Sequence, residues 1–582
     1  MKETLIDIET YSEVDIGKCG LYRYATDPSF EILLVAWATD EGEGFGETRC
    51  ADLASGESLP KELLEDFQSG NVRLIAHNAS FERVCFSVHM QRHLPGQYLK
   101  PGEFLSPDSW ICTMVMAASL TLPMALKDVG TVLKTSQQKD KEGERLIKLF
   151  SMPCKPTKSN GMRTRNLPEH YPADWEKFKY YCIQDVNTEV DIYKRLKKFP
   201  MPEQEWKHYR VNERINDRGV KIDTELVQQA IACDLMLSDA MSKKAYELTG
   251  LENPNSVSQL KSWLDERGIP MDTLGKKDVA QMIEELDKNG VDAEAMDMLK
   301  LRLQMAKSSV KKYQAAERCV CSDGRARGLF QFYGASRTGR YSGRNIQLQN
   351  LPQNHISTLD EARELVKLGC FDMVETIYGN TPDVLSQLIR TMLIPKEGCE
   401  FIVADFSAIE ARVLAWEAGE DWRLEAFLEG KDIYCASASQ MFHVPVVKHG
   451  INGELRQKGK VAELACGYGG SSGALISMGA LQMGLKEEEL PEIIDSWREA
   501  NPKIVQYWWD VEKAATQAFK TGKRQEIGKL AFEFYSGTLW MLLSSGRKLA
   551  YLKPRLQPNR FGRMSLTYEG VGQNHKWARQ ET

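Results

Sequence analysis

The chain has 582 residues, of which 42% are hydrophobic and 27% are charged, and its formal net charge is −6 at pH 7. This length predicts two to four folded domains, and the negative balance excludes a surface that binds nucleic acid all over, although it allows a local basic groove. No apolar run reaches about 18 residues, no signal peptide precedes the first strand-like segment, and the thirteen scattered cysteines lack zinc-ligand spacing. We predict a cytosolic protein with reduced thiols.

The first predicted element is a buried strand over residues 5–10 that carries two acids, Asp7 and Glu9. Residues two apart on a strand point to the same face, about 6.6 Å apart along it. Asp-x-Glu alone is more typical of a surface strand. Two carboxylates in an apolar strand are costly to bury unless a cation pairs with them, which indicates a metal site.

A second strand is predicted to end at His77 and Asn78, followed by a helix that has Glu82 in its first turn. A carboxylate at that position could simply complement the helix dipole. Farther along, Tyr181 and Asp185 lie four residues apart in a helix predicted over about 175–197, so they share a face. A core tyrosine beside a solvated acid is the alternative for this pair.

In this order, Asp-x-Glu, Asn-x-x-Phe-Glu and Tyr-x-x-x-Asp resemble the motifs of the proofreading 3′→5′ exonucleases of the DEDDy type. The resemblance implies a ribonuclease H-like domain over residues 1–195. It also implies that two Mg²⁺ or Mn²⁺ ions are held and that Tyr181 positions the attacking water, with the ions bound by Asp7, Glu9, Glu82 and Asp185. The family usually has aspartate where this chain has Glu82.

The next region carries no pattern typical of a chemical site. Residues 196–206 contain two prolines and are predicted to be a linker. Residues 218–223 are predicted to form a turn and a short strand. The stretch from about 224 to 316 is predicted to be helical, with breaks at 253–256 and 268–270, as in an ordinary helical subdomain.

A basic block follows between Gly324 and Ile346, with five arginines, interspersed aromatic residues and no acid. In a negatively charged chain this block indicates phosphate contact, with a solvated basic turn as the alternative. The order Thr-Gly-Arg, Asn and Gln-Asn-Leu-Pro over residues 338–352 is similar to the primer–template motif of family A DNA polymerases. That resemblance implies DNA contacts by Arg337, Thr338, Arg340, Asn345, Gln349 and Asn350.

A second motif of that family is Asp-Phe-Ser-Ala-Ile-Glu-Ala-Arg over residues 405–412. We predict a strand over 401–405 that leads into a helix over 407–414. The resemblance implies that Asp405 binds the catalytic metal and that Glu410 excludes a ribose 2′-hydroxyl. Family members often have Tyr and Gln where this chain has Phe406 and Ala408.

A third motif comprises Arg456, Lys460, Leu464 and Tyr468, which are spaced by four residues and predict a stripe on one helix. A surface amphipathic helix would show the same spacing. Because it follows the preceding motif, this stripe resembles the fingers helix that binds the incoming nucleotide. The resemblance implies that Arg456 and Lys460 bind the triphosphate and that Leu464 and Tyr468 lie near the base and sugar. The glycine-rich segment 467–473 lacks the Gly-Lys-Ser/Thr ending of a nucleoside-triphosphatase loop.

The resemblance implies a right-hand polymerase domain over residues 207–582, with the thumb at about 224–318, the palm at about 319–428 and the fingers and following region at about 429–582. The family also uses a second palm aspartate. After Lys460 this chain has only Asp495 and Asp510, both in predicted helices. We therefore expect a polymerase domain that lacks its C-terminal palm segment.

These motifs predict an α/β and α+β multidomain enzyme, a DNA-templated DNA polymerase with a proofreading exonuclease. Its expected partners are primer–template DNA, dNTPs and two Mg²⁺ or Mn²⁺ ions per active site, and no membrane. Synthesis is expected to require a second polypeptide that carries the missing palm motif. The expected location is the cytoplasm, that of a bacterial host if the gene belongs to a phage. The alternatives are a stand-alone 3′→5′ exonuclease with a DNA-binding remnant and a non-catalytic DNA-binding subunit, whereas Glu410 disfavours an RNA polymerase.

Overall fold

The structure is a computed structural model that describes residues 1–135, 141–289, 292–305, 310–481, 483–559, 562–572 and 576–581. The chain divides into two compact units. The first comprises Met1–Met116 and Met124–Glu400, and the second comprises Ala117–Pro123 and Phe401–Thr582. Both units mix helices and strands, as the sequence predicts. No helix within the described ranges is long and apolar enough to cross a membrane.

The first unit begins with the elements that build an N-terminal sheet and its covering helices. They are β1 (Lys2–Tyr11), α1 (Ile16–Cys19), α2 (Leu21–Thr26), β2 (Glu31–Asp40), β3 (Arg49–Asp52), α3 (Lys61–Gln68), β4 (Val72–Ala76), α4 (Ser80–His93), β5 (Trp110–Cys112), α5 (Thr113–Ser119), α6 (Leu126–Leu133), α7 (Lys141–Phe150) and α8 (Pro172–Leu196). Helix α5 is shared, because its last three residues belong to the second unit.

The N-terminal sheet has the strand order β3-β2-β1-β4-β5 in the described residues. Strand β1 pairs antiparallel with β2 over Glu3–Tyr11 and parallel with β4 over Lys2–Leu5, so it is central in the sheet. Helix α8 packs on β1 and β2. The predicted strand over 5–10 is confirmed within β1, and the predicted helix over 175–197 is confirmed as α8. This helix starts earlier because Pro172 occupies its first turn, where proline needs no hydrogen bond.

The first unit continues with a mainly helical region. Its elements are α9 (Glu203–Arg218), β6 (Val220–Ile222), α10 (Thr224–Thr249), α11 (Val257–Glu266), α12 (Lys276–Asn289), α13 (Ala293–Met305), α14 (Val310–Cys319), β7 (Arg325–Ala326), β8 (Phe330–Ala335), β9 (Arg340–Gly343), α15 (Leu359–Lys367), α16 (Phe371–Tyr378), α17 (Thr381–Leu388) and β10 (Leu393–Ile394). The predicted helical breaks at 253–256 and 268–270 are confirmed, since they fall between α10, α11 and α12.

The linker prediction over 196–206 is wrong in its extent. Helix α9 begins at Glu203, inside that segment, and Pro202 is its N-cap. A proline is tolerated there because an N–H group at the start of a helix has no intrahelical acceptor. The short strand predicted before the helical region is confirmed as β6, and Asp223 caps α10 by accepting a hydrogen bond from the Leu226 N–H at 3.1 Å.

The second unit contains helices followed by an antiparallel sheet. Its elements are α18 (Ile409–Ala418), α19 (Asp421–Leu428), α20 (Ile433–Phe442), α21 (Leu455–Cys466), α22 (Ser472–Ser477), α23 (Leu490–Ala500), α24 (Pro502–Thr521), β11 (Gln525–Ile527), β12 (Leu530–Tyr535), β13 (Thr538–Leu542), β14 (Lys548–Pro558), β15 (Met564–Val571) and β16 (Trp577–Glu581). The described strands form one sheet in sequence order, and α24 packs on β11 and β12.

A buried arginine fastens the segment 117–123 within the second unit. Arg547 donates to the carbonyl oxygens of Ser119 at 2.8 Å and Ala118 at 3.2 Å. The Ala550 N–H donates to the Leu120 carbonyl at 3.2 Å. Arg547 thus satisfies carbonyls at the C-terminal end of α5, where a positive charge also complements the helix dipole.

The strand predicted over 401–405 is wrong. In the described part of the chain no strand pairs with this segment, and Ile402 is 91% exposed. An apolar segment forms a strand only where a neighbouring strand completes its backbone hydrogen bonds. In the described residues, the segment 401–405 has no such neighbouring strand. The helix that follows, α18, begins at Ile409, and its N-cap Ala408 has a left-handed φ of 51°.

Candidate active site

Three carboxylates converge where helix α8 crosses the centre of the N-terminal sheet. Asp7 and Glu9 lie two residues apart on β1, and Asp185 lies on the face of α8 that packs against it. Each offers one ligand oxygen, and these three oxygens lie within 4.8 Å of one another. Like charges at this separation repel strongly at a partly buried site. The cluster is therefore suited to a divalent cation with oxygen ligands.

Tyr181 lies one helical turn before Asp185 and is buried. Burial, followed by the charges of Asp185 and Glu9, raises the pKa of its hydroxyl, so the phenol stays protonated at neutral pH. Helix α7 covers the ring, since a Cβ atom on Gly143 would lie 2.1 Å from Tyr181 Cε2. The absence of a side chain at Gly143 lets the two helices approach this closely.

Glu82 occupies the first turn of α4, as predicted, but it is not a member of the three-carboxylate group. It is 2% exposed, and among the described residues its Oε2 atom is buried without a hydrogen-bond partner. Burial, followed by the charge of Asp7, raises the pKa of Glu82 well above its usual value. A buried acceptor without a donor is costly unless something binds it.

Beneath the site lies a second set of polar groups that sequence reasoning missed. Thr113 Oγ1 lies 3.0 Å from Glu189 Oε1 and 2.9 Å from His77 Nδ1. His77 Nε2 lies 2.7 Å from the carbonyl oxygen of Met124. Glu189 follows Asp185 by one helical turn, and this four-residue spacing was the signal that could have indicated its place near the site.

A cavity of about 290 Å³ opens beside the carboxylates. It is bounded by the end of β1, the segment that follows it, Tyr24 and Phe81, and residues at the end of α7. Its walls include Glu9, Thr10, Glu13, Phe81, Ile147 and Met152. The cavity therefore gives a small, partly apolar molecule access to Glu9, one of the three carboxylates.

A buried ion-pair network joins helix α4 to helix α9. The Arg83 guanidinium donates to Asp217 at 2.8 and 2.9 Å and to Glu213 at 3.1 Å. The Tyr22 hydroxyl donates to Asp217 at 2.7 Å, and the Ser80 hydroxyl donates to Glu213 at 2.7 Å. The buried Arg83 guanidinium thus makes four hydrogen bonds to protein acceptors, the fourth to the Leu105 carbonyl at 2.9 Å, and these offset its loss of hydration.

The predicted DNA-contacting residues lie on and after the β8–β9 hairpin of the first unit. Its turn is closed by Gly339, which has a φ of 75° and donates its N–H to the Ala335 carbonyl at 2.9 Å. The exposed predicted residues are Arg337, Thr338, Arg340, Gln349 and Asn350. Asn345 instead is half-buried and packs on Gly20, where an added Cβ would lie 2.5 Å from its Nδ2.

Two of the five arginines in the basic block, Arg325 and Arg327, form hydrogen bonds within the protein. Arg325 donates to the carbonyl oxygens of Arg218 at 2.7 Å and Gly219 at 2.9 Å. Arg327 forms two hydrogen bonds with Asp323, at 2.8 and 2.6 Å. The number of arginines in the block does not show which of them bond within the protein. The carbonyl acceptors of Arg325 lie more than 100 residues earlier in the sequence.

The predicted nucleotide-binding residues lie in the second unit. Arg456, Lys460 and Leu464 share one side of α21, as predicted, but Tyr468 follows the helix in a turn between Gly467 and Gly469. The Tyr468 hydroxyl donates to the Glu410 carboxylate, so two of these residues meet. Arg456 donates to Asp432 at 2.8 and 3.0 Å, and this acid in turn caps α20.

Asp405 does not lie in a comparable cluster of carboxylates. It is exposed, within the unpaired segment that precedes α18. Among the described residues, no group of three or more metal-ligating side chains includes it. Asp495 and Asp510 lie in α23 and α24, as predicted.

Comparisons with known proteins identify the polymerase family of the chain. A sequence model of DNA polymerase family A matches residues 229–527. The DNA polymerase of Bacillus phage SP02 is 52% identical over 584 residues, which cover 100% of this chain and 87% of the phage protein. DNA polymerase I of Geobacillus stearothermophilus is 27% identical over 303 residues, covering 51% of this chain and 31% of that protein.

Among solved structures, the POL domain of Pol1 from M. smegmatis in complex with DNA primer-template and dNTP has a similar fold. The TM-score is 0.54 at 17% identity, over 94% of this chain and 78% of the other. The family match covers about half of the chain, and the phage relative covers all of it. The chain therefore belongs to DNA polymerase family A.

Proposed function

We propose that the protein is a DNA-templated DNA polymerase that also removes nucleotides from a DNA 3′ end, as a proofreading exonuclease of the DEDDy type. The observation that carries the exonuclease is the convergence of Asp7, Glu9 and Asp185 beside Tyr181. The sheet order around them, with three antiparallel strands and two parallel ones, supports a ribonuclease H-like domain over residues 1–195. Family membership supports a right-hand polymerase domain over 207–582, whose thumb, palm and fingers have the bounds predicted from the sequence.

The donor set fits two Mg²⁺ or Mn²⁺ ions. Asp7, Glu9 and Asp185 offer oxygens within 4.8 Å of one another, and Glu82 offers a buried oxygen without a partner in the described residues. When bound, such ions lower the pKa of water and stabilise negative charge on phosphate oxygens. The protein's contribution is a fixed and partly buried set of carboxylates, because β1 is paired with β2 at Asp7 and Glu9 and α8 is packed on it.

Tyr181 is proposed to orient the attacking water. Its hydroxyl remains protonated, because burial and neighbouring carboxylates raise its pKa. A neutral phenol can donate one hydrogen bond and accept another, which fixes a water molecule without removing its proton. The cavity bounded by Phe81 and the end of α7 is proposed to receive the terminal nucleotide.

Primer–template DNA and dNTPs are the proposed partners of the polymerase residues. Arg337 and Arg340 extend from an exposed hairpin, where cations can neutralise phosphates. Arg456 and Lys460 on α21 are proposed to bind the triphosphate. Glu410, held by the Tyr468 hydroxyl, is proposed to exclude a ribose 2′-hydroxyl.

Replacement of a metal ligand tests the exonuclease. Asp7→Ala is expected to reduce Mg²⁺- or Mn²⁺-dependent digestion of single-stranded DNA to background, because the remaining ligands cannot hold the ion pair. Tyr181→Phe should lower kcat about 100-fold through a misplaced water. Glu65→Ala, which removes an exposed acid of α3, is the matched control and should digest normally. The assay follows labelled 3′ ends, and undiminished digestion by Asp7→Ala would exclude the proposed site.

The salt dependence of binding tests the hairpin. Arg340→Ala is expected to weaken duplex binding and to lower the magnitude of the slope of log K against log[salt] by about one, since one phosphate contact is lost. Arg49→Ala, in which an exposed arginine on β3 is removed, should leave the slope unchanged. Fluorescence anisotropy at several salt concentrations measures both. Equal affinity and slope in Arg340→Ala and the unmodified protein would refute a DNA contact by this residue.

Primer extension by the 582-residue polypeptide alone is expected to be absent or very weak. The reaction needs carboxylates on two ions, and no described cluster supplies a partner for Asp405. A second polypeptide that carries a palm helix and its aspartate should restore extension, and Asp405→Asn should prevent that restoration. Robust extension by the purified chain alone would contradict this expectation and would point to Asp495 or Asp510.

A further inference from the structure

A line of hydrogen-bonding groups runs behind the three carboxylates, from Met124 through His77 and Thr113 to Glu189. The successive distances are 2.7, 2.9 and 3.0 Å. The backbone N–H of His77 also donates to the Glu189 carboxyl group. Thr113 is fully buried and Glu189 is 1% exposed, so each group in the line depends on its neighbours for hydrogen bonds.

The direction of each hydrogen bond follows from the carbonyl at one end. The Met124 oxygen can only accept, so His77 Nε2 carries a proton and donates. If the ring is neutral, Nδ1 must accept, and the single hydroxyl proton of Thr113 is then donated to His77. Thr113 Oγ1 can now only accept from Glu189, so the Glu189 carboxyl group must supply the remaining proton.

We propose that Glu189 is a protonated carboxylic acid that positions the exonuclease site by donating a hydrogen bond to Thr113, which in turn donates to His77. This inference rests on the proposed exonuclease function. It adds three positioning residues behind the carboxylates that would bind the ions. Glu189 itself is outside the three-carboxylate group.

The alternative arrangement has a charged imidazolium at His77 and an ionised Glu189, with the Thr113 proton turned towards the carboxylate. That arrangement would place two opposite charges, on the half-buried His77 and the buried Glu189, with only the uncharged Thr113 hydroxyl between them. Burial, followed by the charge of Asp7, raises the pKa of Glu189 well above its usual value. Both effects favour the neutral acid.

The line of hydrogen bonds connects two of the elements that carry the site, α8 and the start of α4, through Thr113 at the start of α5. Helix α8 bears Tyr181, Asp185 and Glu189 at successive four-residue steps, so all three face the sheet. His77 lies between the end of β4 and the first turn of α4, which bears Glu82. Because Thr113 starts α5 and bridges these two, the line fixes the separation between Asp185 and Glu82.

Isosteric variants at Glu189 test the proposal. Glutamine can donate its amide N–H to Thr113 and accept from the His77 N–H, so Glu189→Gln should keep single-strand digestion within about threefold of the unmodified protein. Glu189→Ala should lower kcat about 10- to 100-fold, the range found when a residue that orients a metal site is lost. Digestion by Glu189→Gln that is as poor as by Glu189→Ala, in folded protein, would overturn the proposal.

Variants at Thr113 test the bridge itself. Thr113→Val keeps the shape and removes both hydrogen bonds, so it should resemble Glu189→Ala. Thr113→Ser retains the hydroxyl and should resemble the unmodified protein. Equal activity of the valine and serine variants would overturn the bridging role.

Two measurements on metal-free protein do not depend on activity. The nuclear magnetic resonance signal of the His77 ring, assigned by its loss in His77→Asn, should be that of a neutral ring protonated at Nε2. The unfolding temperature should fall for Glu189→Ala and Thr113→Val but not for Glu189→Gln. A charged ring, or a Glu189→Gln variant as unstable as Glu189→Ala, would overturn the proposal. Digestion that survives Asp7→Ala would instead refute the proposed exonuclease site. The His77 ring signal and the unfolding temperatures would then still test the hydrogen bonds from Glu189 to His77.

Discussion

The electrostatic repulsion among acids at the centre of the N-terminal sheet is the constraint on which the rest of the site depends. Asp7, Glu9 and Asp185 place three ligand oxygens within 4.8 Å, and Glu82 and Glu189 are buried beside them. In a medium of low dielectric such a group can persist only by binding cations or by retaining protons. The two routes divide the acids by role. Asp7, Glu9 and Asp185 are suited to metal, whereas Glu189 is proposed to keep a proton and to position neighbouring groups.

The elements that carry the acids are held in place by hydrogen bonds to their neighbours. Strand β1 is paired with β2 over Glu3–Tyr11 and with β4 over Lys2–Leu5. Helix α4 is fastened to α9 by Arg83, whose guanidinium reaches Asp217 and Glu213 in the interior. Through Asn216, α9 also exchanges two hydrogen bonds with Phe330 on the hairpin that bears Arg340, at 2.8 and 3.1 Å. The three clustered carboxylates and the proposed DNA-binding hairpin belong to one compact unit, and α9 contacts both the hairpin and α4, which bears Glu82.

The spacing of residues along a strand or helix predicted which side chains share a face. The two-residue step of Asp7 and Glu9 and the four-residue step of Tyr181 and Asp185 fix which face each side chain occupies, and the structure brings those faces together. The strand over 401–405 was mispredicted, because an apolar run does not reveal whether a pairing partner exists. Glu189 was missed for a related reason: its importance comes from Thr113 and His77, which are distant in sequence. The roles of the polymerase residues came from resemblance to a family and stay predictions.

Anomalous diffraction from crystals grown with Mn²⁺ would test the proposed two-ion site most directly. One ion is expected between Asp7, Glu9 and Asp185, and a second beside Asp7 within reach of the buried Glu82 oxygen, whereas Glu189 should coordinate neither. Because Mn²⁺ scatters anomalously, its position is read without reference to activity. Crystals at saturating Mn²⁺ with no anomalous peak at these carboxylates, or with Glu189 as a ligand, would contradict the division of the acids proposed here.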